Sequence, residues 1–103
     1  MTQTYPDGIL QYTKLSATNT TLSGAAGKVI RIWQLLVAPS ASTTLELKDG
    51  GTGGTSLTGS MTVTGLYQQR TIVPHYQGTA GNDVAIMIGA NGAGYVIWTL
   101  ENP

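Results

Sequence analysis

His75 is the only imidazole in the chain, so a catalytic triad built on histidine would have to pair it with Asp49 or Asp83. Such a triad would transfer acyl groups through an activated serine. The sequence has no Gly-x-Ser-x-Gly segment to present that serine, and the residues around His75 are typical of a strand that ends in a loop. We therefore expect a structural or surface role for His75 and predict that the chain is not an enzyme.

The segment Asp-Gly-Gly-Thr-Gly-Gly at 49–54 invites comparison with a phosphate-binding loop, but Thr55 stands where that loop needs lysine. Its glycines instead indicate a hairpin or bulge loop. Asp83 with Asn82, or Asp49 with loop carbonyls, could contribute oxygens to Ca²⁺, yet Asp-x-Asp-x-Asp spacing is absent. The chain also has no cysteine, which excludes thiolate metal sites and disulfides. We predict neither a metal nor another cofactor.

Seven aromatic side chains could form a platform on which sugar rings stack, or could serve the core and subunit contacts. Trp33 and Trp98 lie in the two most apolar runs of the sequence, which favours core or interface for both. The other five aromatic residues are Tyr5, Tyr12, Tyr67, Tyr76 and Tyr95.

The composition of the 103 residues indicates one small domain. Charged residues make up 10% of the chain, and five basic residues balance five acidic ones, so the basic footprint of a nucleic-acid-binding protein is absent. The longest near-continuous apolar stretch, 29–38, is about half of the length that a membrane helix needs. We expect neither a nucleic-acid nor a membrane partner, and residues 1–8 lack the features of a secretory signal.

Apolar residues recur at every second position in short runs separated by turn-forming residues, which predicts antiparallel strands rather than helices. The segment 43–48 is the clearest example, because Leu45 and Leu47 face one side and Glu46 and Lys48 the other. The predicted strands are Gln3–Tyr5, Ile9–Leu15, Thr20–Leu22, Lys28–Ala38, Thr43–Lys48, Ser60–Thr64, Gln69–Val73, Val84–Ile88 and Gly94–Glu101.

Three of these runs are apolar on both faces: 29–37, 84–88 and 95–100. Strict alternation over the first puts Ile30, Ile32 and Leu36 opposite Val29, Trp33, Leu35 and Val37. The last two runs are joined by a loop with Asn91-Gly92, a hairpin signal. A small sandwich can hardly cover both faces of such strands, so we expect a homo-oligomer, with a trimer favoured. The predicted interface residues are Tyr5, Ile30, Ile32, Trp33, Tyr95, Ile97 and Trp98.

The fold that these strands predict is an all-β, single-domain β-sandwich of about eight short antiparallel strands, with a jelly roll favoured over an immunoglobulin-like Greek key. Residues 9–103 form the sandwich in this interpretation. Residues 1–8 form an N-terminal arm anchored by Tyr5, since Pro6 biases Tyr5 toward extended geometry. Deleting the arm should leave the sandwich folded and weaken its attachment to a neighbour.

Four segments carry a family resemblance: Gly24-Ala25-Ala26-Gly27-Lys28-Val29-Ile30, Val37-Ala38-Pro39-Ser40-Ala41, Thr44-Leu45-Glu46-Leu47-Lys48-Asp49-Gly50 and the closing Tyr95-Val96-Ile97-Trp98. Together they resemble small virion proteins of tailed bacteriophages, most closely head decoration (cement) proteins. The resemblance implies a subunit on the outer surface of the capsid that binds the major capsid protein at subunit junctions and stabilises the head. It carries over no catalytic or contact motif. The alternatives are a tail, neck or fibre module, or a carbohydrate-binding β-sandwich.

Overall fold

A computed structural model describes residues 10–70 and 76–103 of the chain. The described residues contain ten β-strands and no helix, which confirms the predicted all-β class. The strands are β1 (Gln11–Leu15), β2 (Thr20–Leu22), β3 (Val29–Val37), β4 (Thr43–Asp49), β5 (Thr55–Ser56), β6 (Met61–Val63), β7 (Tyr67–Arg70), β8 (Tyr76–Gln77), β9 (Val84–Ile88) and β10 (Gly94–Glu101).

Most predicted strands are present at nearly their predicted positions. The short strands β5 and β8 were not predicted, and β7 begins two residues before its predicted start. The predicted strand Gln3–Tyr5, the arm at 1–8 and the end of the predicted strand Gln69–Val73 lie outside the described residues.

The strands form two antiparallel sheets that pack face to face. Sheet I has the order β1-β10-β3-β7, with β8 also paired to β3, and sheet II has the order β2-β9-β4-β5, with β6 also paired to β4. If β5 with β6, and β7 with β8, each count as one interrupted strand, eight positions remain, four in each sheet. The chain changes sheet at every connection except those from β4 to β6 and from β7 to β8.

This strand order is that of a jelly roll, the class that the number of predicted strands favoured. It differs from the immunoglobulin order, in which the first two strands share a sheet, because β1 and β2 lie in different sheets.

A β-bulge in the middle of β3 determines which of its side chains reach the core. Ile97 of β10 pairs with Gln34, but the next residue, Trp98, pairs with Ile32, so Trp33 has no partner on β10. The extra residue reverses the side-chain alternation along β3. In consequence, the core receives residues of even number before the bulge and of odd number after it.

The core lies between the sheets and takes side chains from both. From β3 it receives Ile30, Ile32, Leu35 and Val37, none of them more than 1% exposed. The two faces predicted for β3 by strict alternation are therefore wrong, because the bulge places all four of these residues on one face. Sheet II contributes chiefly Leu22, Leu45, Leu47, Val84, Ile86 and Ile88.

The connection from β9 to β10 is not a hairpin, because these strands belong to different sheets. Asn91 does adopt positive φ, 70°, as the turn signal implied. The loop instead crosses the same end of the sandwich as the β3–β4 connection and is joined to it by two backbone bonds, from Ala38 N to Ala93 O at 2.8 Å and from Ser40 N to Asn91 O at 3.0 Å. Pairing between these two crossovers replaces the hairpin ladder.

Gly94 provides a stability test of sheet I, because a Cβ at this position would overlap the carbonyl oxygen of Leu36 on β3. We expect Gly94→Ala to lower the free energy of unfolding by about 2 kcal/mol, since backbone must move to admit the methyl group. Gly53→Ala is the matched control, because a Cβ there meets nothing within 4 Å. Urea denaturation monitored by tryptophan fluorescence measures both. Equal stability of the two variants would contradict the packing described for β10.

Candidate functional site

The outer face of sheet I is divided into a closed half and an open half. In the closed half, Trp33, Thr99 and Glu101 are all at most 5% exposed, although they point away from the core between the sheets. In the open half, Tyr12 is 65% exposed. The two halves therefore offer different chemistry to a partner.

A chain of hydrogen bonds occupies the closed half. The Trp33 indole Nε1 donates to Thr99 Oγ1 at 2.9 Å, and the Thr99 hydroxyl donates to the Glu101 carboxylate. Arg31 forms an ion pair with Glu101 at 3.2 Å, and its Nε donates to Gln77 Oε1 at 2.9 Å. The buried carboxylate is thus paired and hydrogen-bonded, as a buried charge must be. These groups tie the end of β10 to β3 and β8.

The open half is a surface that we call the outer patch, made of Tyr12, Gln34, Leu36, Tyr95 and Ile97. Strand register arranges it in two cross-strand rows, with Tyr12 beside Ile97 beside Gln34 in one and Tyr95 beside Leu36 in the other. The rings of Tyr12 and Tyr95 stack with centroids 5.6 Å apart and planes inclined by 28°. Gln34 Nε2 donates to the Tyr95 hydroxyl at 2.9 Å, which fixes the second ring.

The outer patch is apolar and aromatic with hydrogen-bonding groups at its margin. Lys14, which pairs with Tyr95, is the charged residue of its second row. Such a surface suits contact with an uncharged partner, because aromatic rings contribute large contact areas at low conformational cost.

The predicted interface residues do not lie on one surface. Tyr95 and Ile97 belong to the outer patch. Ile30 and Ile32 are enclosed in the chain's own core, and Trp98 packs against that core with its Nε1 donating to Thr13 Oγ1 at 3.0 Å. Because both isoleucines are buried inside the folded chain, neither of them is part of the candidate surface.

Trp33 faces away from the core, yet its side chain is only 5% exposed and its indole is hydrogen-bonded to Thr99 within the closed half. Tyr5 lies outside the described residues. Sequence reasoning did not select Tyr12, Gln34 or Leu36 as interface residues. The alternation of Tyr12 and Lys14 along β1 was the available signal for an outward-facing tyrosine.

The loops around Asp49 are held by hydrogen bonds to its carboxylate. Asp49 Oδ1 accepts from Thr79 N at 3.0 Å and from Asn82 Nδ2 at 3.3 Å, while Oδ2 accepts from the Thr79 hydroxyl. Asp83 Oδ1 accepts from Gly24 N at 2.7 Å. Nitrogen and hydroxyl donors therefore occupy both carboxylate oxygens of Asp49 and Oδ1 of Asp83. Within the described ranges no group of three His, Cys, Asp or Glu residues is arranged to hold a metal ion.

Tyr67, on the edge strand β7 of sheet I, is a poor candidate for acid–base work at neutral pH. Tyr67 and Tyr76 pack against the core. Burial, followed by the hydrogen bond with Tyr76, raises the pKa of Tyr67 to about 12. The Tyr67 phenol therefore stays protonated at neutral pH.

Sheet II carries an open groove of about 260 Å³. Glu46 is the titratable residue of its lining, whereas general acid–base catalysis in a groove normally uses at least two such groups. The lining residues are Asn19, Thr44, Leu45, Glu46, Ser60, Met87, Ile88 and Gly89. His75 lies outside the described residues, so the geometry of a triad is not defined.

Comparison with protein-family models, with curated proteins and with solved structures finds no match to this chain. Among residues 10–70 and 76–103 there is no helix long and apolar enough to cross a membrane.

The closed half predicts a specific effect of removing one hydroxyl group. Thr99→Val keeps the shape of the side chain but leaves the buried Trp33 N–H without its acceptor and removes one hydrogen bond from the Glu101 carboxylate, which keeps its ion pair with Arg31. We expect the free energy of unfolding to fall by about 2 kcal/mol, the usual cost of a buried unpaired polar group. Thr62→Val, at an exposed position on β6, serves as the control. If chemical denaturation gave the same loss for both, the hydrogen-bonded chain would not stabilise the fold.

The hydrogen bonds to the Asp49 carboxylate predict that the free energy of unfolding depends on pH. Partial burial alone would raise the pKa of Asp49, but hydrogen bonds from Thr79 and Asn82 hold it below the ordinary value of 3.8. The folded pKa is depressed, so this carboxylate stabilises the fold above the unfolded value and loses that effect as the pH falls toward the folded value. Asp49→Asn should be less stable than the wild type at pH 7 and should lose less stability on acidification below about pH 4. Thermal melts across this pH range measure both, and parallel curves would contradict the assignment.

Proposed function

We propose that this chain is a structural virion protein, a decoration subunit that binds the outer surface of a capsid and stabilises the shell by bridging neighbouring shell subunits. The observation that carries the proposal is the outer patch on strands β1, β3 and β10, an aromatic and apolar surface in which Tyr12 is exposed and Gln34, Leu36, Tyr95 and Ile97 are half-buried. A surface of this kind supports binding rather than turnover. Of the segments that resemble decoration proteins, the closing Tyr95-Val96-Ile97-Trp98 lies in β10 and supplies Tyr95 and Ile97 to the outer patch.

The chemistry of the outer patch suits the major capsid protein as its partner. Tyr12, Ile97 and Leu36 carry no charge, which keeps the desolvation cost of covering them low. The charged residues Arg70 and Lys14 pair with Gln34 and Tyr95 at the ends of the two rows. Gln34 and Tyr95 have already paired with each other, so their hydrogen bond survives contact. The net charge of zero means that long-range repulsion does not oppose the packing of many copies on one shell.

Homo-oligomerisation, with a trimer favoured, belongs to the same proposal. Decoration at a junction of shell subunits places several copies of the chain around a symmetry axis, where neighbouring copies can contact one another.

Carbohydrate binding is the second candidate function, and one observation favours it. One ring face of Tyr12 is open to solvent while the other stacks on Tyr95, and the Gln34 amide lies in the same cross-strand row. An exposed aromatic face beside an amide suits the apolar face and hydroxyl groups of a sugar ring.

The attachment proposal predicts that Ile97→Ser lowers occupancy on particles about tenfold, because it removes apolar area from the middle of the first row. In the assay, each variant competes with the intact chain for binding to particles. The particles are purified from the natural source of this protein and are stripped of it before the assay. Thr21→Ser, an exposed position on β2 in the opposite sheet, is the control.

Equal competition by Ile97→Ser and the intact chain, with both variants folded by circular dichroism, would contradict attachment through the outer patch. Binding on a glycan array that Tyr12→Ala abolishes, without binding to particles, would replace the proposal by the second candidate.

A further inference from the structure

The two edges of sheet I carry exposed apolar side chains. The large hydrophobic residues most exposed in the described chain are Leu10 at 57%, Tyr12 at 65% and Leu66 at 66%. Leu10 directly precedes the edge strand β1, Tyr12 lies within it, and Leu66 directly precedes β7 at the opposite edge. Exposed apolar residues on an unpaired edge are what a strand from another molecule would cover.

Both edges also offer backbone groups. No strand of residues 10–70 and 76–103 pairs with the outer side of β1 or of β7. An unpaired strand edge presents a row of N–H and C=O groups that a further strand can bind.

The directions of the two edges are complementary. All neighbours along β1-β10-β3-β7 are antiparallel, so β1 and β7 run in opposite directions. A second copy placed beside the first in the same orientation therefore sets its β1 antiparallel to β7, as in every pair of the sheet. Contact of β1 with β7 is heterologous, so repeated copies can close into a ring.

Charge and register are compatible with this contact. Tyr12 opposite Gln68 sets Gln11–Thr13 of β1 against Tyr67–Gln69 of β7. Leu10 then lies opposite Arg70 and Lys14 opposite Leu66, so no like charges face each other. Pairing of β1 with a second β1 would leave Leu66 uncovered, whereas β1 with β7 covers all three exposed residues.

We propose that copies of this chain join edge to edge, with β1 of one copy pairing antiparallel with β7 of the next to close a ring. The inference deepens the homo-oligomer of the proposed function and rests on it for the expected number of three copies. Of the three residues that the contact covers, Leu10 and Leu66 lie outside the outer patch and Tyr12 lies at its margin on β1, so the ring leaves the patch residues of β3 and β10 open for attachment.

Paired charge variants of the full-length chain test this contact. Leu10→Lys blocks the β1 edge, and Leu66→Lys blocks the β7 edge. Sedimentation velocity should show the intact chain as a closed oligomer and each variant alone with self-association weakened at least about tenfold. Thr62→Lys, on an exposed position of β6 in sheet II, should behave as the intact chain.

Mixing the two variants separates a heterologous contact from a symmetric one. Leu10→Lys keeps an intact β7 edge and Leu66→Lys an intact β1 edge, so the equimolar mixture should form a dimer that neither forms alone. Crosslinking supplies a second readout, because the chain has no native cysteine. A bis-maleimide should join Leu10→Cys to Leu66→Cys in a mixture and should not join either variant to itself.

A monomer at every concentration of the intact chain would overturn the ring. So would an oligomer that Leu66→Lys leaves unchanged, or Leu10→Cys crosslinked only to itself, since both indicate a symmetric β1 contact. These outcomes are independent of attachment, which is measured on particles and not in the isolated chain.

Discussion

The bulge at Trp33 is the constraint on which the rest of this structure depends. Without it, the nine residues of β3 would divide their apolar side chains between two faces, and half of the central strand's contribution to the core would be lost. One extra residue reverses the alternation at mid-strand, so that Ile30 and Ile32 before it and Leu35 and Val37 after it all enter the same core. The cost is one residue that cannot join the ladder. That residue is a tryptophan whose indole hydrogen-bonds to Thr99 on the outer face.

The same device organises the outer face and therefore the function that we propose. Trp33 and its hydrogen-bonded neighbours close one half of sheet I, which leaves the tyrosine pair and Ile97 as the open half. The carboxylates of Asp49, Asp83 and Glu101 hold loops and strands together through hydrogen bonds. What the open half offers to another molecule is contact area on a rigid support, which fits attachment to a shell.

The all-β sandwich could be predicted because alternation and turn signals are local. The strand count favoured a jelly roll, but the strand order depends on long-range pairing that one sequence does not reveal. The bulge could not be placed, since no residue type marks it, although its trace is the change from even to odd apolar positions around Trp33. That change was interpreted as two apolar faces and hence as subunit contact at Ile30 and Ile32. The crossing of β9 to β10 was missed for a related reason: Asn91-Gly92 specifies a turn but not which sheet the next strand joins. Gln34 and Leu36 gained their place in the candidate site from cross-strand neighbours, which one sequence does not reveal.

The measurement that tests this account most directly is the set of cross-strand nuclear Overhauser effects between β3 and β10 in the isotope-labelled chain. The account predicts that Ile97 contacts Gln34 across the ladder, that Trp98 contacts Ile32, and that the backbone of Trp33 has no opposite partner on β10. A continuous register in which Trp98 lies opposite Trp33 would contradict it, because Ile30 and Ile32 would then face away from the core that holds Leu35 and Val37.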